Sequence, residues 1–408
     1  MLKSTNHRDL SDRLFWIPKE QEIKSAVTTD VYFEYAVEAL RKGGIEPVVT
    51  MEIYTRKLPF ESNWAIVCGI YEVAKLLEGI PCDVDAMEEG ELFVADPNLA
   101  IYEPVMQITG KYTDFARFEN PILGFLCQSS AICTKASRIS HLAKGKINIS
   151  FGTRRAHPAL AAMIERSCFI GGLDSVSNVL GARLLGKRPS GTMPHAFILC
   201  VGDEVEAWKL FDKSLPKNIP RIVLVDTLSD EKIASINALQ ALGKRLAGVR
   251  LDTPNSRRGD LKKIVQEVRW ELKIRNAKDV KIIVSGGLDE SDIIELRDWV
   301  DGFGVGTSVS TAAVIDFGGK IVQVEENNKN ILRSKRGDLS GRKFVYRSGK
   351  FEDVVTLNKK ALKNRRPLLT PLIRNGKIVR NFKSIDSLRE RTKKLVERVS
   401  IAQPKIVS

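Results

Sequence analysis

The chain is short of histidine, and its cysteines form no pattern that would bind a metal. Only four histidines occur among 408 residues. The cysteines contain no CxxC pair, which argues against a structural zinc site, and most of them have apolar neighbours. We therefore expect free, buried thiols in a reducing compartment rather than disulfide bonds. The cysteines are Cys68, Cys82, Cys127, Cys133, Cys168 and Cys200.

Long apolar runs are also missing. No segment is apolar over the length that a bilayer requires, and the first residues, MLKSTNHRDLSDRLFW, lack the apolar stretch of a secretory signal. With 43% hydrophobic and 28% charged residues, the composition is typical of a globular protein. We expect two or three domains, a cytoplasmic location and no membrane partner.

The net charge of +14 is concentrated near the C-terminus. Residues 331–408 contain 22 Lys and Arg against 6 Asp and Glu, a net charge of +16, which leaves −2 for the rest. Such a segment can bind nucleic acid, attract an anionic small substrate, or form a solvated surface. Only four aromatic residues are interspersed there, which disfavours the binding of single strands by base stacking.

Short β-rich runs alternate with helical patterns between residues 146 and 310. The runs are KINISF, PRIVLVDT, GVRLDT and VKIIVSGG, and each ends in polar or glycine residues. The segment 229–247 repeats apolar residues at helical spacing, with Ser229 or Asp230 as its N-cap. This alternation predicts parallel strands joined by helices. About seven such units fit a closed or nearly closed β/α barrel, and an open, doubly wound sheet is the alternative.

The flanking regions lack this rhythm. TTDVYFEYAVEALRKGG predicts a helix that ends at Gly43–Gly44, and YEPVMQITGKY predicts β-structure with a glycine turn. Towards the C-terminus, LSGRKFVYRSGKF predicts a hairpin and SIDSLRERTKKLVERVS predicts an amphipathic helix.

Barrels of this kind carry their functional groups at the C-terminal ends of the strands. Charged residues, one histidine and several glycines follow the predicted strands here. They are Arg154, Arg155, Asp174, His195, Asp226, Arg250, Asp252, Gly286, Gly287, Gly304, Gly306 and Thr307. The late glycine loops predict a phosphate site, because glycine lets backbone N–H groups approach closely and the start of a short helix adds positive potential. Each glycine pair alone is equally typical of an ordinary turn.

The other strand-end residues each have two interpretations. Asp226 and Asp252 suit Mg²⁺ or ribose hydroxyls, or cap the helices that follow them. Arg250 lies two residues before Asp252, so both side chains point to the same face of the strand. The two arginines of FGTRRAHP can bind a carboxylate or phosphate, or form surface ion pairs. His195, in SGTMPHAFIL, is either a packing residue or a catalytic one.

Six motifs in sequence order resemble those of the archaeal-type nicotinate phosphoribosyltransferases, within the type II phosphoribosyltransferase group. They are TTDVYF, FGTRRAHP, GGLDSVSN, SGTMPH, RLDTP and FGVGTS, and the basic motif KRGDLSGRKFVYR follows them. The resemblance runs from about Thr28 to Arg347. It implies an irregular α/β barrel joined to an α/β sandwich that N-terminal and C-terminal segments form together. The expected units are residues 1–118, 119–321 and 322–408.

The resemblance also implies a reaction in NAD salvage. Nicotinate and 5-phosphoribosyl-1-pyrophosphate (PRPP) would give nicotinate mononucleotide and pyrophosphate, with Mg²⁺. The family forms dimers with shared active sites, so a homodimer or a larger assembly is expected. The resemblance implies that Phe151 and the partner's Tyr32 stack on the pyridine ring, and that Arg154, Arg155 and Asp174 contact its substituent. Arg250, Asp252 and Asp226 would contact PRPP and the metal. The phosphate contacts would be Gly286, Gly287, Gly304, Gly306 and Thr307. His195 matches a histidine that is phosphorylated when ATP hydrolysis is coupled to synthesis.

Three alternatives stay open at this stage. Asp174 matches a carboxylate that contacts the amide in nicotinamide-using relatives, and a carboxylate facing nicotinate would repel it. Nicotinamide is therefore a possible substrate, although Arg155 favours an acid. Quinolinate phosphoribosyltransferase shares the fold and is the closest enzyme alternative. A nucleic-acid-binding protein that uses residues 331–408 is the non-enzyme alternative, but it does not explain the residues at the strand ends.

Overall fold

The computed structural model of the chain describes residues 13–327, 329–359, 362–399 and 404–407. Most of the opening stretch on which the secretory-signal argument rests lies outside these ranges. The strands are β1 (Val48–Tyr54), β2 (Trp64–Ile66), β3 (Cys82–Ala86), β4 (Leu92–Val94), β5 (Met106–Lys111), β6 (Ile147–Ser150), β7 (Ser175–Val176), β8 (Arg221–Leu224), β9 (Leu246–Leu251), β10 (Lys281–Ser285), β11 (Gly302–Val305), β12 (Gly318–Glu326), β13 (Lys329–Leu332), β14 (Phe344–Ser348), β15 (Glu352–Thr356), β16 (Arg365–Pro367), β17 (Thr370–Arg374), β18 (Lys377–Ile378) and β19 (Lys405–Val407).

Helices connect most of these strands. They are α1 (Glu20–Lys24), α2 (Val31–Lys42), α3 (Ile70–Leu77), α4 (Tyr112–Phe115), α5 (Glu119–Leu142), α6 (Ala161–Ile170), α7 (Val179–Leu184), α8 (His195–Val201), α9 (Glu204–Ser214), α10 (Glu231–Leu242), α11 (Asn255–Arg258), α12 (Leu261–Ile274), α13 (Glu290–Leu296), α14 (Thr307–Ser310) and α15 (Ile385–Val399). No helix among the described residues has the length and apolar character needed to cross a bilayer.

Six parallel strands form a nearly closed barrel. Their order is β7-β6-β11-β10-β9-β8, so the first strand of the series, β6, pairs with the last, β11. Strands that follow one another in the chain are neighbours around the sheet, except that the described residues form no ladder between β7 and β8. The barrel prediction is therefore confirmed. The open, doubly wound sheet is wrong, because there the strand order reverses at an internal point.

The barrel helices pack an apolar face onto these strands. The predicted helix at 229–247 is α10, and the side chain of Asp230 caps it by accepting from the backbone N–H groups of Lys232 and Ile233. The helix is shorter than its apolar spacing suggested, because Leu246 is already the first residue of β9. Trp208 lies fully buried in the same core, where its indole N–H donates to the Leu224 carbonyl.

The second unit combines both ends of the chain. One antiparallel sheet has the order β13-β12-β1-β5-β3-β17-β18, so three N-terminal strands form its middle and two C-terminal strands lie on each side of them. The predicted hairpin is β14–β15, which belongs to a separate sheet of order β16-β14-β15-β19. The α/β domain made of N-terminal and C-terminal segments is therefore confirmed.

Local predictions in the flanking segments met mixed results. The helix predicted to end at Gly43–Gly44 is α2, which stops at Lys42, and Gly44 has a positive φ of 64°. The glycine turn predicted in YEPVMQITGKY is wrong. Gly110 lies inside β5 opposite Cys82, and a Cβ there would sit 3.0 Å from the Cys82 Cβ. Glycine is needed at that position for close packing of two strands.

The cysteines are all free, as predicted, but they are not all buried. Cys68, Cys82, Cys133 and Cys168 are buried, Cys127 is half-buried and Cys200 is exposed. Cys200 lies on α8, whose only fully buried side chain is that of Ile198. The short apolar run in the sequence therefore overstated how much of this helix is covered.

The basic C-terminal segment forms many ion pairs with the rest of the fold. Several of its arginines and lysines reach acidic residues of the N-terminal region, and one reaches Asp174 of the barrel, over long sequence distances. The pairs include Arg342–Asp85, Lys343–Glu52, Arg347–Glu91, Arg366–Glu91, Arg374–Asp85, Lys383–Glu88, Arg389–Asp174 and Arg391–Glu91. These eight cations share five carboxylates, so the ion pairs compensate part of the segment's positive charge and leave the nucleic-acid alternative open.

Candidate active site

The residues that the sequence analysis placed at strand ends meet at one mouth of the barrel. Phe151 directly follows β6, Asp226 lies two residues after β8, and Asp252 directly follows β9. His195 does not follow a strand directly. It is the first residue of α8, in the connection between β7 and β8. Because the strands are parallel, their C-terminal ends bring these distant residues together.

His195 faces two carboxylates. Its Nε2 lies 3.4 Å from Asp252 Oδ2 and 3.9 Å from Asp226 Oδ1, and its Nδ1 lies 3.0 Å from Thr227 Oγ1. The hydrogen bond with Asp252 raises the pKa of His195 above its ordinary value, against a smaller opposing effect of burial. The imidazole is 37% exposed, so an incoming ligand can reach it. His195 is therefore not a packing residue, and its catalytic role stays a prediction.

The two aspartates have different environments. Burial raises the pKa of Asp226, whose side chain is only 2% exposed. Burial acts in the same direction on Asp252, but hydrogen bonds from His195 and Ser285 together with the Arg250 charge bring the pKa of Asp252 down to about 2. Asp226 Oδ2 accepts the Asp252 backbone N–H at 2.7 Å, so the two carboxylates are held side by side.

Neither aspartate caps the helix that follows it. The N-cap of α10 is Asp230, and the residue before α11 is Pro254. The helix-cap interpretation of both residues is therefore wrong, and their side chains point to the site.

Arg250 links the acidic cluster to Phe151. Its guanidinium lies 3.3 Å from Asp252 Oδ2 and 5.5 Å from the centre of the Phe151 ring. Another of its N–H groups donates to Thr192 Oγ1. Its Nε is buried without a hydrogen-bond partner, so part of this cation's donor capacity is unused. An anionic group that entered beside Arg250 would find a donor ready for it.

The glycine loops lie at the same mouth. Gly286 and Gly287 follow β10 with φ of +94° and +66°, and a Cβ on Gly286 would sit 3.2 Å from Asp252 Oδ1. Gly306 precedes α14, whose first residue is the exposed Thr307. Gly304 is different. It lies within β11, where a Cβ would come within 2.3 Å of Phe151 Cε2. Because glycine has no Cβ, the Phe151 ring fits there. The phosphate role of these four glycines and of Thr307 stays a prediction.

The arginine pair and Tyr32 are accessible. Arg154 and Arg155 end a 3₁₀ turn just after β6, both are exposed, and neither has an acidic partner among the described residues. The surface ion pair that we considered for them is therefore not formed there. Tyr32 is 57% exposed on α2, and its ring lies tilted against that of Phe33, with 4.3 Å between the ring centres.

Asp174 lies at the opposite end of the barrel, so its predicted contact with the pyridine ring is wrong. It precedes β7 and sits beside Asn148, near the start of β6. Its Oδ2 accepts the Asn148 backbone N–H at 2.9 Å, and its Oδ1 accepts from Arg389 at 2.5 Å. The argument for nicotinamide that rested on this carboxylate therefore falls.

Sequence reasoning missed the hydroxyl groups that orient the site. Thr192 Oγ1 accepts from Arg250, Thr227 Oγ1 shares a hydrogen bond with His195 Nδ1, and Ser285 Oγ donates to Asp252 Oδ1 at 2.6 Å. It also missed Glu165, a fully buried residue of α6 whose Oε1 accepts the Asn178 backbone N–H after β7. The segments SGT, VDT and VSG carry a weak signal. Thr227 and Ser285 are each next to a predicted functional residue, and Thr192 lies three residues before His195.

Comparison with known proteins identifies the family. A model of the quinolinate phosphoribosyl transferase C-terminal domain matches residues 132–320, and a model of its N-terminal domain matches residues 30–130. The crystal structure of a nicotinate-nucleotide pyrophosphorylase from Pyrococcus furiosus is 47% identical with a TM-score of 0.91, covering 95% of this chain and 99% of that one. The chain belongs to the type II phosphoribosyltransferase family.

Curated members of the family agree with the resemblance seen in the motifs. A nicotinate phosphoribosyltransferase of Mycobacterium tuberculosis is 28% identical, with coverage of 87% of this chain and 83% of the relative. One of Bacillus subtilis is 29% identical, with coverage of 78% and 72%. As a type II phosphoribosyltransferase, the chain is an enzyme.

Mg²⁺ fits the acidic pair of this type II phosphoribosyltransferase only with the help of substrate oxygens. Among the described residues, no group of three or more His, Cys, Asp or Glu side chains is arranged to hold a metal. Mg²⁺ is commonly bound by one or two carboxylates together with phosphate oxygens and water. Asp226 Oδ1 is buried without a hydrogen-bond partner, and a cation shared with Asp252 would satisfy it.

Proposed function

We propose that the enzyme forms nicotinate mononucleotide and pyrophosphate from nicotinate and PRPP. The observation that carries the proposal is the cluster of His195, Asp226, Arg250 and Asp252 beside Phe151 at the barrel mouth. It combines an aromatic face for a ring, a partly unsatisfied arginine for an anion and paired carboxylates for a cation. The names of the curated relatives support the same reaction.

The residues would act mainly by positioning and by charge. Phe151 offers a stacking face for the pyridine ring, and the exposed Arg154 and Arg155 are available to its carboxylate. The 5′-phosphate would bind at the glycine loops after β10 and β11. As pyrophosphate leaves, positive charge develops at the sugar carbon and negative charge on the leaving oxygens. Arg250 and protonated His195 are placed to stabilise the leaving group, and preorganised charges of this kind provide much of an enzyme's rate enhancement.

Asp226 and Asp252 would hold Mg²⁺ against the pyrophosphate. Bound there, the ion would neutralise the charge on the leaving oxygens. Asp252 suits this role because its pKa of about 2 keeps it ionised at any physiological pH. Removal of divalent ions with a chelator should therefore abolish product formation, and Mg²⁺ should restore it.

Product analysis tests the proposal directly. The enzyme is incubated with PRPP, Mg²⁺ and one pyridine at a time, and the nucleotide products are separated by chromatography. We expect nicotinate mononucleotide from nicotinate. Formation of the same nucleotide from quinolinate, with release of CO₂, would instead support the second candidate, which the quinolinate family models favour. Asp252→Asn should remove activity, whereas Asp203→Asn, in an exposed helix cap, should not.

We also propose that His195 accepts a phosphoryl group from ATP. A neutral imidazole is a competent nucleophile at phosphorus, and Thr227 holds the ring so that Nε2 faces the carboxylates. Because Asp252 raises the pKa of His195, ATP stimulation should increase with pH as the ring loses its proton. Unchanged ATP stimulation in His195→Ala would refute this role.

A shared active site gives a further test. We propose that the enzyme is a homodimer and that Tyr32 covers the pyridine bound by its partner subunit. Tyr32→Ala and Asp252→Asn should each be nearly inactive alone. After mixing and exchange of subunits, roughly a quarter of the wild-type activity should return, because each mixed dimer contains one intact site. No recovery, with exchange verified, would place Tyr32 outside the partner's site.

A further inference from the structure

A cavity lies at the end of the barrel opposite the active site. Its volume is about 360 Å³, in the range of small-molecule pockets. Its walls are the C-terminal end of α5, the start of β6, the turn before β7 and one face of α15. The residues that matter for its chemistry are Ser140, His141, Lys144, Lys146, Asn148 and Lys393.

Asn148 provides an unused acceptor in this cavity. The residue is 2% exposed, and its Oδ1 is buried without a hydrogen-bond partner. Its Nδ2 already donates to the Lys146 carbonyl at 2.8 Å, so the amide is held with its oxygen unsatisfied. A buried acceptor without a partner is costly, and a ligand that carries an O–H or N–H donor would relieve that cost.

Three lysines give the same cavity an excess of positive charge. Lys144, Lys146 and Lys393 line it, and none has an ion pair among the described residues. Two acidic residues also line it. Asp174 already accepts hydrogen bonds from Arg389 and from the Asn148 backbone N–H. Glu397 contributes one negative charge to the lining. The lysines therefore exceed the acid that is available to them.

The carbonyl groups at the C-terminal end of α5 are hydrogen-bonded, so they do not repel an anion from this cavity strongly. Helix C-termini carry partial negative charge on their last carbonyl groups. In this helix the Leu142 carbonyl accepts from Arg297 at 3.0 Å, and the Ala143 carbonyl accepts the Lys146 N–H at 3.1 Å. The excess of lysine ammonium groups therefore decides the sign of the field in the cavity.

We propose that this cavity binds a protonated phosphate group, either inorganic phosphate or a phosphomonoester. The lysines match the negative oxygens, and the phosphate O–H would donate to Asn148 Oδ1. A phosphate group keeps one proton up to a pKa near 6 for a monoester, so it can donate as well as accept, whereas sulfate at neutral pH can only accept. The cavity is separate from the catalytic mouth, and the proposal does not depend on which pyridine the enzyme uses.

Calorimetric titration of the full chain at pH 6 tests the proposal with three probes: inorganic phosphate, AMP and sulfate. Phosphate also suits the glycine loops at the catalytic mouth, so we expect two phosphate sites per chain in the wild type. The triple variant Lys144→Gln/Lys146→Gln/Lys393→Gln should retain one of them and weaken the other at least tenfold, about the effect of losing one charged hydrogen bond. Lys278→Gln, an exposed lysine before β10, is the matched control and should change neither site.

The outcomes distinguish a phosphomonoester from free phosphate, and they test whether a phosphate O–H donates to Asn148. AMP binding that the triple variant loses would identify a phosphomonoester site, and binding of inorganic phosphate alone would identify a free-phosphate site. Sulfate should bind at least tenfold more weakly than phosphate at the second site, because it cannot donate to Asn148. A single phosphate site in both wild type and triple variant overturns the proposal, as does sulfate binding that equals phosphate binding. The variant's pyridine kinetics should stay unchanged, so failure here leaves the proposed reaction intact.

Discussion

Lys343→Met should destabilise the protein strongly, because it leaves a buried carboxylate without its counter-ion. The side chains of Lys343 and Glu52 are 3% and 0% exposed, and Nζ lies 2.8 Å from Glu52 Oε2. The ammonium also donates to Tyr102 Oη and to the carbonyls of Leu339 and Gly341. This contact joins β1 to the segment before β14, and methionine would fill the space without the charge.

The expected loss is about 3–5 kcal/mol of unfolding free energy, the usual effect of removing one partner of a buried ion pair. Glu52 Oε1 would keep its bonds from the Lys343 backbone N–H and from Gln107, both at 2.8 Å, so the carboxylate would stay partly satisfied. That places the expectation towards the lower end of the range. The double variant Glu52→Gln/Lys343→Met buries no charge and should lose clearly less than the single variant.

Urea denaturation followed by circular dichroism measures these differences. The exposed pair Lys42–Glu38 is the matched control, and Lys42→Met should leave the midpoint unchanged. A loss below about 1 kcal/mol for Lys343→Met, or a double variant no more stable than the single one, would refute the view that an uncompensated buried charge dominates.

Three further predictions follow from the same contacts. Gly304→Ala should raise the KM for the pyridine at least tenfold, because the new methyl group displaces the Phe151 ring. Gly124 has open space around it, so Gly124→Ala should leave the KM unchanged. Steady-state kinetics measure both values. Burial raises the pKa of Glu72 to about 7, so this group favours the folded state below pH 4.5 and loses that contribution as the pH rises through 7. Glu72→Gln should therefore stabilise the protein at pH 8 by at most about 3 kcal/mol and have little effect at pH 4.5, measured by urea denaturation. The pKa of Asp252 is lowered to about 2, so the stability that its ionised form gives to the folded state is present above pH 4 and lost towards pH 2. In acid unfolding, Asp252→Asn should therefore lose less stability between pH 4 and pH 2 than the wild type does.

Much of the barrel could be predicted from the sequence. Its strands are short β-rich runs, its helices have apolar residues at regular spacing, and both signals depend on neighbours in the chain. The positions of Phe151, Asp226 and Asp252 followed from the rule that parallel strands place their C-terminal ends together. Asp174 was misplaced because β7 is only two residues long, and the motif gave no sign that this residue precedes the strand.

The charge of the C-terminal segment shows the limit of such reasoning. Counting lysines and arginines indicated a cationic surface, but Lys343 pairs with Glu52 and Arg347 with Glu91, partners 291 and 256 residues away. No local pattern records a contact over that distance, and it arises only because folding places β14 and the residue before it beside the N-terminal strands β1 and β4.

The sequence by itself determined most strands and helices of the barrel and the kinds of chemical group near its strand ends, because both depend on short-range patterns. Only the tertiary structure decided which groups meet. It brought Thr192 to Arg250, Thr227 to His195 and Ser285 to Asp252, and it placed Asp174 at the far end. The physical reason is that a hydrogen bond or ion pair depends on distance in space, and folding sets that distance independently of separation along the chain.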